Sequence, residues 1–342
     1  MFLSAVYTAR LCMFARQYRK TTSTSAFLSC RLKISARSSW LSTSWYLRNG
    51  LFRPVALLII VLILPSCFLS CSEGGRKGRN KEGFGRDGVI RIGYANEAPF
   101  AYYDNESDKL VGESVEVTRH ILKKMGVVDF EGVLTEFASL IPGLKAGRFD
   151  VIAAGMWIIP PRCREISFSE PISCIGQGFI VKTGNPLGLH GYEDVVRHPA
   201  ARLAVVSGGV ELRFARAGGL SQDRILIFPD APSAIAGLQA NRVDALAGPV
   251  PAHKDMLRKA GDSSLERAQP FNIPNVPGEP TRLCSGIGFR KDDARFLEEF
   301  DSHLKSFIGT DQHLEMVEAF GFTETELPTG VTREELCRPS PP

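Results

Sequence analysis

One stretch of this chain occurs twice, and that repetition constrains the fold more than any other feature. Ile141-Pro-Gly-Leu-Lys-Ala-Gly-Arg-Phe-Asp-Val-Ile-Ala-Ala154 aligns without gaps on Ile235-Ala-Gly-Leu-Gln-Ala-Asn-Arg-Val-Asp-Ala-Leu-Ala-Gly248, with seven of fourteen positions identical. Each copy reads as a helix ended by Gly or Asn, then Arg, then a buried strand that starts after Asp. Two generic helix-to-strand connections would look alike locally. Two similar α/β lobes account for the duplication better.

The surrounding patterns agree with two lobes. Ile90, Ile92 and Tyr94 alternate as a strand. Val117, Ile121, Leu122 and Met125 share one helical face, and Gly126 closes that helix. A short strand near Val133, a helix from about Ser139 to Ala146 and a strand from Phe149 to Ala154 follow. The second half repeats the recipe with strands at 202–206, 225–228 and 243–247 and helices running to Ala217 and Ala240. Such alternation implies a mostly parallel sheet with helices on both faces.

After the second copy come a strand at Cys284–Phe289, a helix at Asp293–Phe307 with Phe296, Leu297, Phe300, Leu304 and Phe307 inward, and a helix at Gln312–Phe320. One strand and two helices do not make a third domain, so this tail is expected to return to the first lobe. The chain would then cross twice between lobes and hinge there. The predicted division is lobe I over 88–182 and 281–328, lobe II over 183–280 and a tail over 329–342. A cleft between such lobes is a preferred site for a small ligand.

The charge is unevenly spread. The net charge is +4, yet residues 1–72 carry nine Lys or Arg and no acid, leaving 32 basic and 37 acidic residues, a net of −5, in the rest. An acidic body lacks the basic footprint of a nucleic-acid partner. Val55–Leu64 is a ten-residue apolar run behind Arg48 and Arg53. It is short for a membrane span of roughly 20 residues and suits the core of a secretory signal. Leu64-Pro-Ser-Cys67 and Phe68-Leu-Ser-Cys71 each resemble a lipobox, so Cys67 or Cys71 is expected to carry lipid; a plain cleaved signal or an anchor helix is the alternative. Residues 1–71 are thus read as an extension plus signal, and 72–87, rich in Gly and charge, as a flexible tether. The Arg- and Ser-rich segment 1–47 also fits a transit peptide or a start assigned too far upstream.

Cys163, Cys174, Cys284 and Cys337 remain in the body. In an oxidising compartment Cys163 and Cys174 are a possible bridge across a short loop, or else two thiols. Their spacing does not suit zinc, and neither a metal nor a cofactor is expected.

Four segments carry a family resemblance: Gly93-Tyr-Ala-Asn-Glu-Ala-Pro-Phe-Ala101, Leu134–Leu144, Gly147–Cys163 with its Met-Trp-Ile-Ile-Pro-Pro-Arg-Cys ending, and Phe320–Pro328. With them, residues 89–337 resemble the extracytoplasmic solute-binding proteins of ABC importers, in the polar amino-acid class with the type II periplasmic-binding-protein fold. The chain looks most like the ectoine- and hydroxyectoine-binding members. The resemblance implies a monomer that hands a small zwitterionic solute to membrane permease subunits outside the cytoplasm.

It also implies ligand contacts at Glu97, Phe100, Phe137, Trp157 and Arg162, with Ile158 beside them. Ectoine joins a carboxylate to a ring amidine of delocalised positive charge. Arg162, just after a strand and a Pro-Pro turn, can hold the carboxylate in two-point fashion. Glu97, in the loop after the first strand, can accept from the amidinium. Phe100, Phe137 and Trp157 can wall it as aromatic faces. The blander readings are Arg162 paired with Glu165 or Glu170, the aromatics in the core, and Tyr102 in place of Phe100.

In lobe II, Gly209 and Val210 lie where Ser207-Gly-Gly-Val-Glu211 turns into a helix whose amides can bind a carboxylate. The amino-acid binders usually place an Asp after the last strand of this lobe to hold an α-ammonium. This chain has Ala247-Gly-Pro-Val250 there, which fits a solute without a free α-amino group. An ordinary amino-acid importer subunit is the nearest alternative. An enzyme such as cyclohexadienyl dehydratase shares the fold but needs a placed general acid, and His120, His190, His198, His253, His303 and His313 all fall outside the expected cleft segments.

Overall fold

The computed structural model describes residues 88–272 and 282–338. The signal-like run, the lipidation candidates Cys67 and Cys71 and the tether 72–87 lie outside the described residues.

The described chain opens with β1 (Val89–Tyr94), the hairpin β2 (Tyr102–Asp104) and β3 (Lys109–Val111), α1 (Glu113–Lys124) and β4 (Asp129–Leu134). It continues with α2 (Leu140–Lys145), β5 (Val151–Ile152), α3 (Pro160–Glu165), β6 (Ser167–Phe168) and β7 (Ser173–Cys174). The second lobe holds β8 (Gln177–Lys182), α4 (Tyr192–Arg197), β9 (Leu203–Val206), α5 (Glu211–Ala217), β10 (Ile225–Phe228), α6 (Ala231–Gln239), β11 (Ala245–Pro249), α7 (Val250–Ala260) and β12 (Leu265–Arg267). The chain then returns through β13 (Cys284–Ser285), β14 (Gly288–Phe289), α8 (Ala294–Lys305), α9 (Asp311–Glu318) and α10 (Arg333–Cys337).

Two five-stranded sheets result, ordered β4-β1-β5-β14-β6 and β10-β9-β11-β8-β12. The returning β14 pairs with β5 and β6, so the tail does complete the first lobe. Phe289 is fully buried and meets Phe296 and Phe300 of α8 edge-on, with centroids 5.2 Å apart in each case.

The duplicated segment is the same structural device built twice. Asp150 accepts from the amide of Arg91 on β1 at 3.1 Å, and Asp244 accepts from the amide of Arg202 beside β9 at 2.8 Å. In return, each Asp amide donates to the carbonyl of that Arg at 2.8 Å. Each arginine also donates to the residue that ends the preceding helix, Gly147 or Asn241, at 2.9 Å. Both of those residues have positive φ, 70° and 57°, which explains Gly in one copy and Asn in the other. The matched Gly143 and Gly237 each lie under a ring: a Cβ would come within 2.7 Å of Phe149 and 2.5 Å of Phe228.

Three expectations are corrected. The boundary after Lys182 is too late, because β8 belongs to the second sheet, where Gly178–Val181 pair antiparallel with β11. An apolar run extends whichever sheet it reaches, and this one has already crossed. The tail from 329 onward is not separate either: α10 buries Leu336 and bonds Arg333 to Asp301 of α8 at 2.6 Å.

Finally, Cys163 and Cys174 are not bridged to each other. Cys163 joins Cys337, and Cys174 joins Cys284. The crossing strands β7 and β13 place Cys174 and Cys284 directly opposite, while α3 presents Cys163 to α10. One bridge therefore ties the two crossing strands together. The other ties the tail to the helix that carries Arg162.

Candidate ligand-binding cleft

Both lobes contribute to one cavity, in the position between lobes where small-molecule sites are commonly found. Lobe I supplies Glu97, Phe137, Gly155, Trp157 and Arg162, and lobe II supplies residues from the ends of β9 and β11, the start of α5 and one face of α7.

Arg162 is buried on α3, which starts at Pro160 and Pro161, so the helix begins abruptly after the extended Ile159. Its guanidinium donates to the Trp157 carbonyl and, across the cleft, to the Gly208 carbonyl, both at 2.9 Å. It also lies over the Phe137 ring, 5.3 Å from the centroid. Glu165 pairs with Lys145 at 2.5 Å, and Glu170 faces Arg333 and Lys305 at 3.8 Å. The alternative partners proposed for Arg162 are thus engaged elsewhere.

Glu97 sits in a tight loop whose amide donates to the Ala101 carbonyl at 2.9 Å. The loop is anchored to α1, because the amides of Glu113 and Ser114 donate to the carbonyls of Pro99 and Phe100. Gly112 is required there: a Cβ would overlap the Phe100 carbonyl, and its φ is +130°. Burial, and then the carboxyl of Glu211, push the Glu97 carboxyl up to about 7.

Phe100 and Ile158 do not line the cavity. Phe100 is buried under Gly155, where a Cβ would come within 2.5 Å of the ring, and meets Phe322 edge-on at 6.0 Å. Ile158 is fully buried, packs over Gly286 and donates its amide to the Cys284 carbonyl at 2.8 Å beside the crossing strands. Tyr102 lies away from the cavity too, with Lys259 of lobe II 5.0 Å from its ring centroid.

Gly209 and Val210 line the cavity, but not as an open anion nest. The Gly209 amide donates to the Val206 carbonyl at 3.1 Å, and the Glu211 amide bonds its own carboxyl at the start of α5. The two glycines exist for steric reasons. Gly208 has φ +80° and approaches lobe I so closely that a Cβ would meet the Ala138 backbone at 2.7 Å. A Cβ at Gly209 would overlap the Glu211 carboxylate.

Two lining groups escaped the sequence. Glu211 is buried, and desolvation raises its carboxyl to about 7 against the lowering effects of its own amide and of Arg162. His253 of α7 is fully buried and lines the cavity, correcting the expectation that no histidine enters the cleft. The signal for Glu211 was an acid at the first helical position after a double glycine. For His253 it was a polar residue three positions before Met256 on one helical face. Neither pattern is specific.

No group of three or more metal-ligating side chains occurs among the described residues, and no described helix is long and apolar enough to cross a membrane.

Two α/β lobes linked by paired crossing strands, with charged and aromatic groups converging on the cavity between them, define a solute-binding protein of type II fold. Residues 90–322 match the family model of bacterial extracellular solute-binding proteins, family 3, and the chain belongs to that family. It is 33% identical over 290 residues to a probable amino-acid ABC transporter periplasmic-binding protein, y4tE, of Sinorhizobium fredii, covering 84% of this chain and 94% of the relative. Among solved structures it is similar to EhuB in complex with hydroxyectoine, at 34% identity and a TM-score of 0.67, over 73% of this chain and 95% of that one. An ancestral arginine-binding protein bound to arginine is similar at 26% identity and a TM-score of 0.59, over 68% and 98%.

Proposed function

We propose that this chain is the substrate-binding component of an ABC importer of the amino-acid type, working outside the cytoplasm, and that its cargo is ectoine or hydroxyectoine. The observation that carries the cargo is the convergence on one cavity of Arg162 and Glu97 with the rings of Phe137 and Trp157. A guanidinium suits the solute's carboxylate, a carboxylate suits its amidinium, and the ring faces add roughly 0.5–2 kcal/mol each toward a desolvated cation. The likeness to EhuB, solved with hydroxyectoine, supports the same reading. Binding then proceeds by docking on lobe I and closure about the crossing strands.

A second reading has its own observation. Glu97 and Glu211 both line the cavity against the one guanidinium of Arg162, a balance that also suits a basic amino acid. Calorimetry with ectoine, hydroxyectoine, arginine, glutamine and glycine betaine separates the two. Ectoine or hydroxyectoine is expected to bind most tightly. Tight arginine binding with no response to either ectoine would sink the cargo and keep the importer class. Turnover of prephenate to phenylpyruvate would overturn the class itself.

A further inference from the structure

Two cavity-lining side chains carry buried nitrogens without a hydrogen-bond partner among the described residues, the indole of Trp157 and the imidazole of His253. His253 is fully buried, and neither ring nitrogen has a hydrogen-bond partner among the described residues. The ring is wedged against the sheet. A Cβ at Gly248 of β11 would lie 2.7 Å from its Nε2, and one at Gly178 of β8 would lie 3.6 Å from its Nδ1. Glycine at 248 is what makes room for the imidazole at the cavity wall, beside Met256, while the contact at Gly178 is an ordinary one. The other cleft groups divide into ends: Arg162 for an anion, Glu97 and Glu211 for a cation, Phe137 and Trp157 for a flat face. Trp157 also carries a buried Nε1–H without a partner, but an indole only donates, whereas the imidazole of His253 offers both a donor and an acceptor.

We infer that His253 is a specificity-determining residue that hydrogen-bonds a hydroxyl group on the ligand. The inference rests on the reading of the cavity as a site for a small zwitterionic solute and adds the substituent that solute carries. A neutral imidazole offers one N–H donor and one acceptor nitrogen, and a hydroxyl is both, so the two match in either tautomer. The ring is held neutral by burial and by the charge of Arg267 on β12, which push it down to about 3. A buried polar group without a partner is costly, so a ligand that supplies the bond is favoured over the same ligand without it. Discrimination of about tenfold or more follows for one well-placed hydroxyl.

The test is calorimetry on the full chain with matched pairs that differ by one hydroxyl: hydroxyectoine with ectoine, 4-hydroxyproline with proline, and homoserine with 2-aminobutyrate. Wild type is expected to favour the hydroxylated member of the pair it binds by about tenfold or more. His253→Phe should erase that preference, read as the ratio of the two affinities within a pair whatever the affinity for the parent, and His253→Gln, which retains donor and acceptor, should keep part of it. Circular dichroism checks folding. If His253→Phe does not fold, nitrogen-15 spectra of the wild-type imidazole take its place, and the hydroxylated ligand alone should shift the His253 ring signals.

A preference unchanged in His253→Phe, or no preference in wild type, overturns the inference. A His253-dependent preference in another pair, with both ectoines silent, would overturn the proposed cargo and leave the role of His253 standing. Binding of no member of any pair overturns both.

Discussion

The two halves of the cleft are built on different principles. On lobe I, the cavity-lining groups Glu97, Trp157 and Arg162 are each fixed by their own supports. Glu97 lies on a loop bonded to α1, Trp157 forms a bridge with Ser285, and Arg162 sits on a helix cross-linked through the adjacent Cys163 to Cys337. On lobe II, the wall is a double-glycine turn, a strand end and a helix face, with two buried titratable groups, Glu211 and His253, set among apolar neighbours. The difference suggests that lobe I sets the position of the ligand. Lobe II then closes over it and adjusts which ligand is accepted.

The cross-links give the largest expected effect. Each closes a long loop, spanning 174 and 110 residues. Removing one by a double Cys→Ser change should lower stability by about 2–4 kcal/mol, on the model that a bridge restricts the unfolded chain. Urea titration measures it. The comparison sharpens if Cys163→Ser/Cys337→Ser also weakens ligand binding, because that bridge braces the Arg162 helix. Loss of stability with unchanged affinity would show that the lobe I wall stands without its brace.

Next in size is the loss of the charged readers. Arg162→Ala or Glu97→Ala should weaken binding of ectoine by more than about 2 kcal/mol, the scale of a buried charged contact. Glu211→Gln should have a smaller effect on ectoine and a larger one on arginine. Equal losses for Glu97→Ala and Glu211→Gln with ectoine would break the asymmetry between the lobes.

Glu97, Phe137, Trp157 and Arg162 do meet at one cavity. Glu97, Phe137 and Trp157 follow strands within a few residues and Arg162 sits on the short helix α3 that comes next, where position along the chain nearly determines position in space. Phe100 shares the loop of Glu97, yet it faces inward beneath Gly155, and a loop has no period from which to read such a turn. The repeat was legible because Gly143, Asp150 and their counterparts make short-range bonds and contacts that recur wherever the motif does. The cysteine pairing was not, because Cys284 and Cys337 reach their partners only after the chain has returned from lobe II. His253 escaped for a different reason. Its helix reads as an ordinary amphipathic element, and the room that Gly248, on the strand just before it, leaves for the ring shows only in three dimensions.

A third expectation concerns the approach of the lobes. Gly208→Ala places a Cβ 2.7 Å from the Ala138 backbone and strains a φ of +80°. It should lower affinity about tenfold, or roughly 1.4 kcal/mol, mainly through faster ligand release, if closure of the lobes retains the solute as proposed. Stopped-flow fluorescence of Trp157 would report the rate. A change confined to the association rate would mean that the turn guides entry rather than closure.

The smallest effect is in the pH dependence of stability, where the sign separates acids from histidines. Burial raises the carboxyls of Glu97, Glu113 and Glu211 from 4.5 to about 7 in the fold. Their contribution to stability is complete below 4.5 and is lost as pH rises toward 7. Burial lowers His253 to about 3 and His313 to about 4, from 6.5. Their contribution is present above 6.5 and is lost as pH falls toward 3 or 4. Burial also lowers His120, so between about 4.5 and 6.5 three acids oppose three histidines and stability should change little with pH. From about 6.5 to 7 the histidines no longer change and the acids act alone, so the melting temperature should fall more steeply. Glu211→Gln should soften that fall from the lobe II side and Glu97→Gln from the lobe I side. Differential scanning fluorimetry from pH 5 to 8 is sufficient to see it. A curve that rises through this window in wild type would mean that the two cleft acids are ionised in the fold, and that the cavity presents more negative charge to its ligand than burial allows.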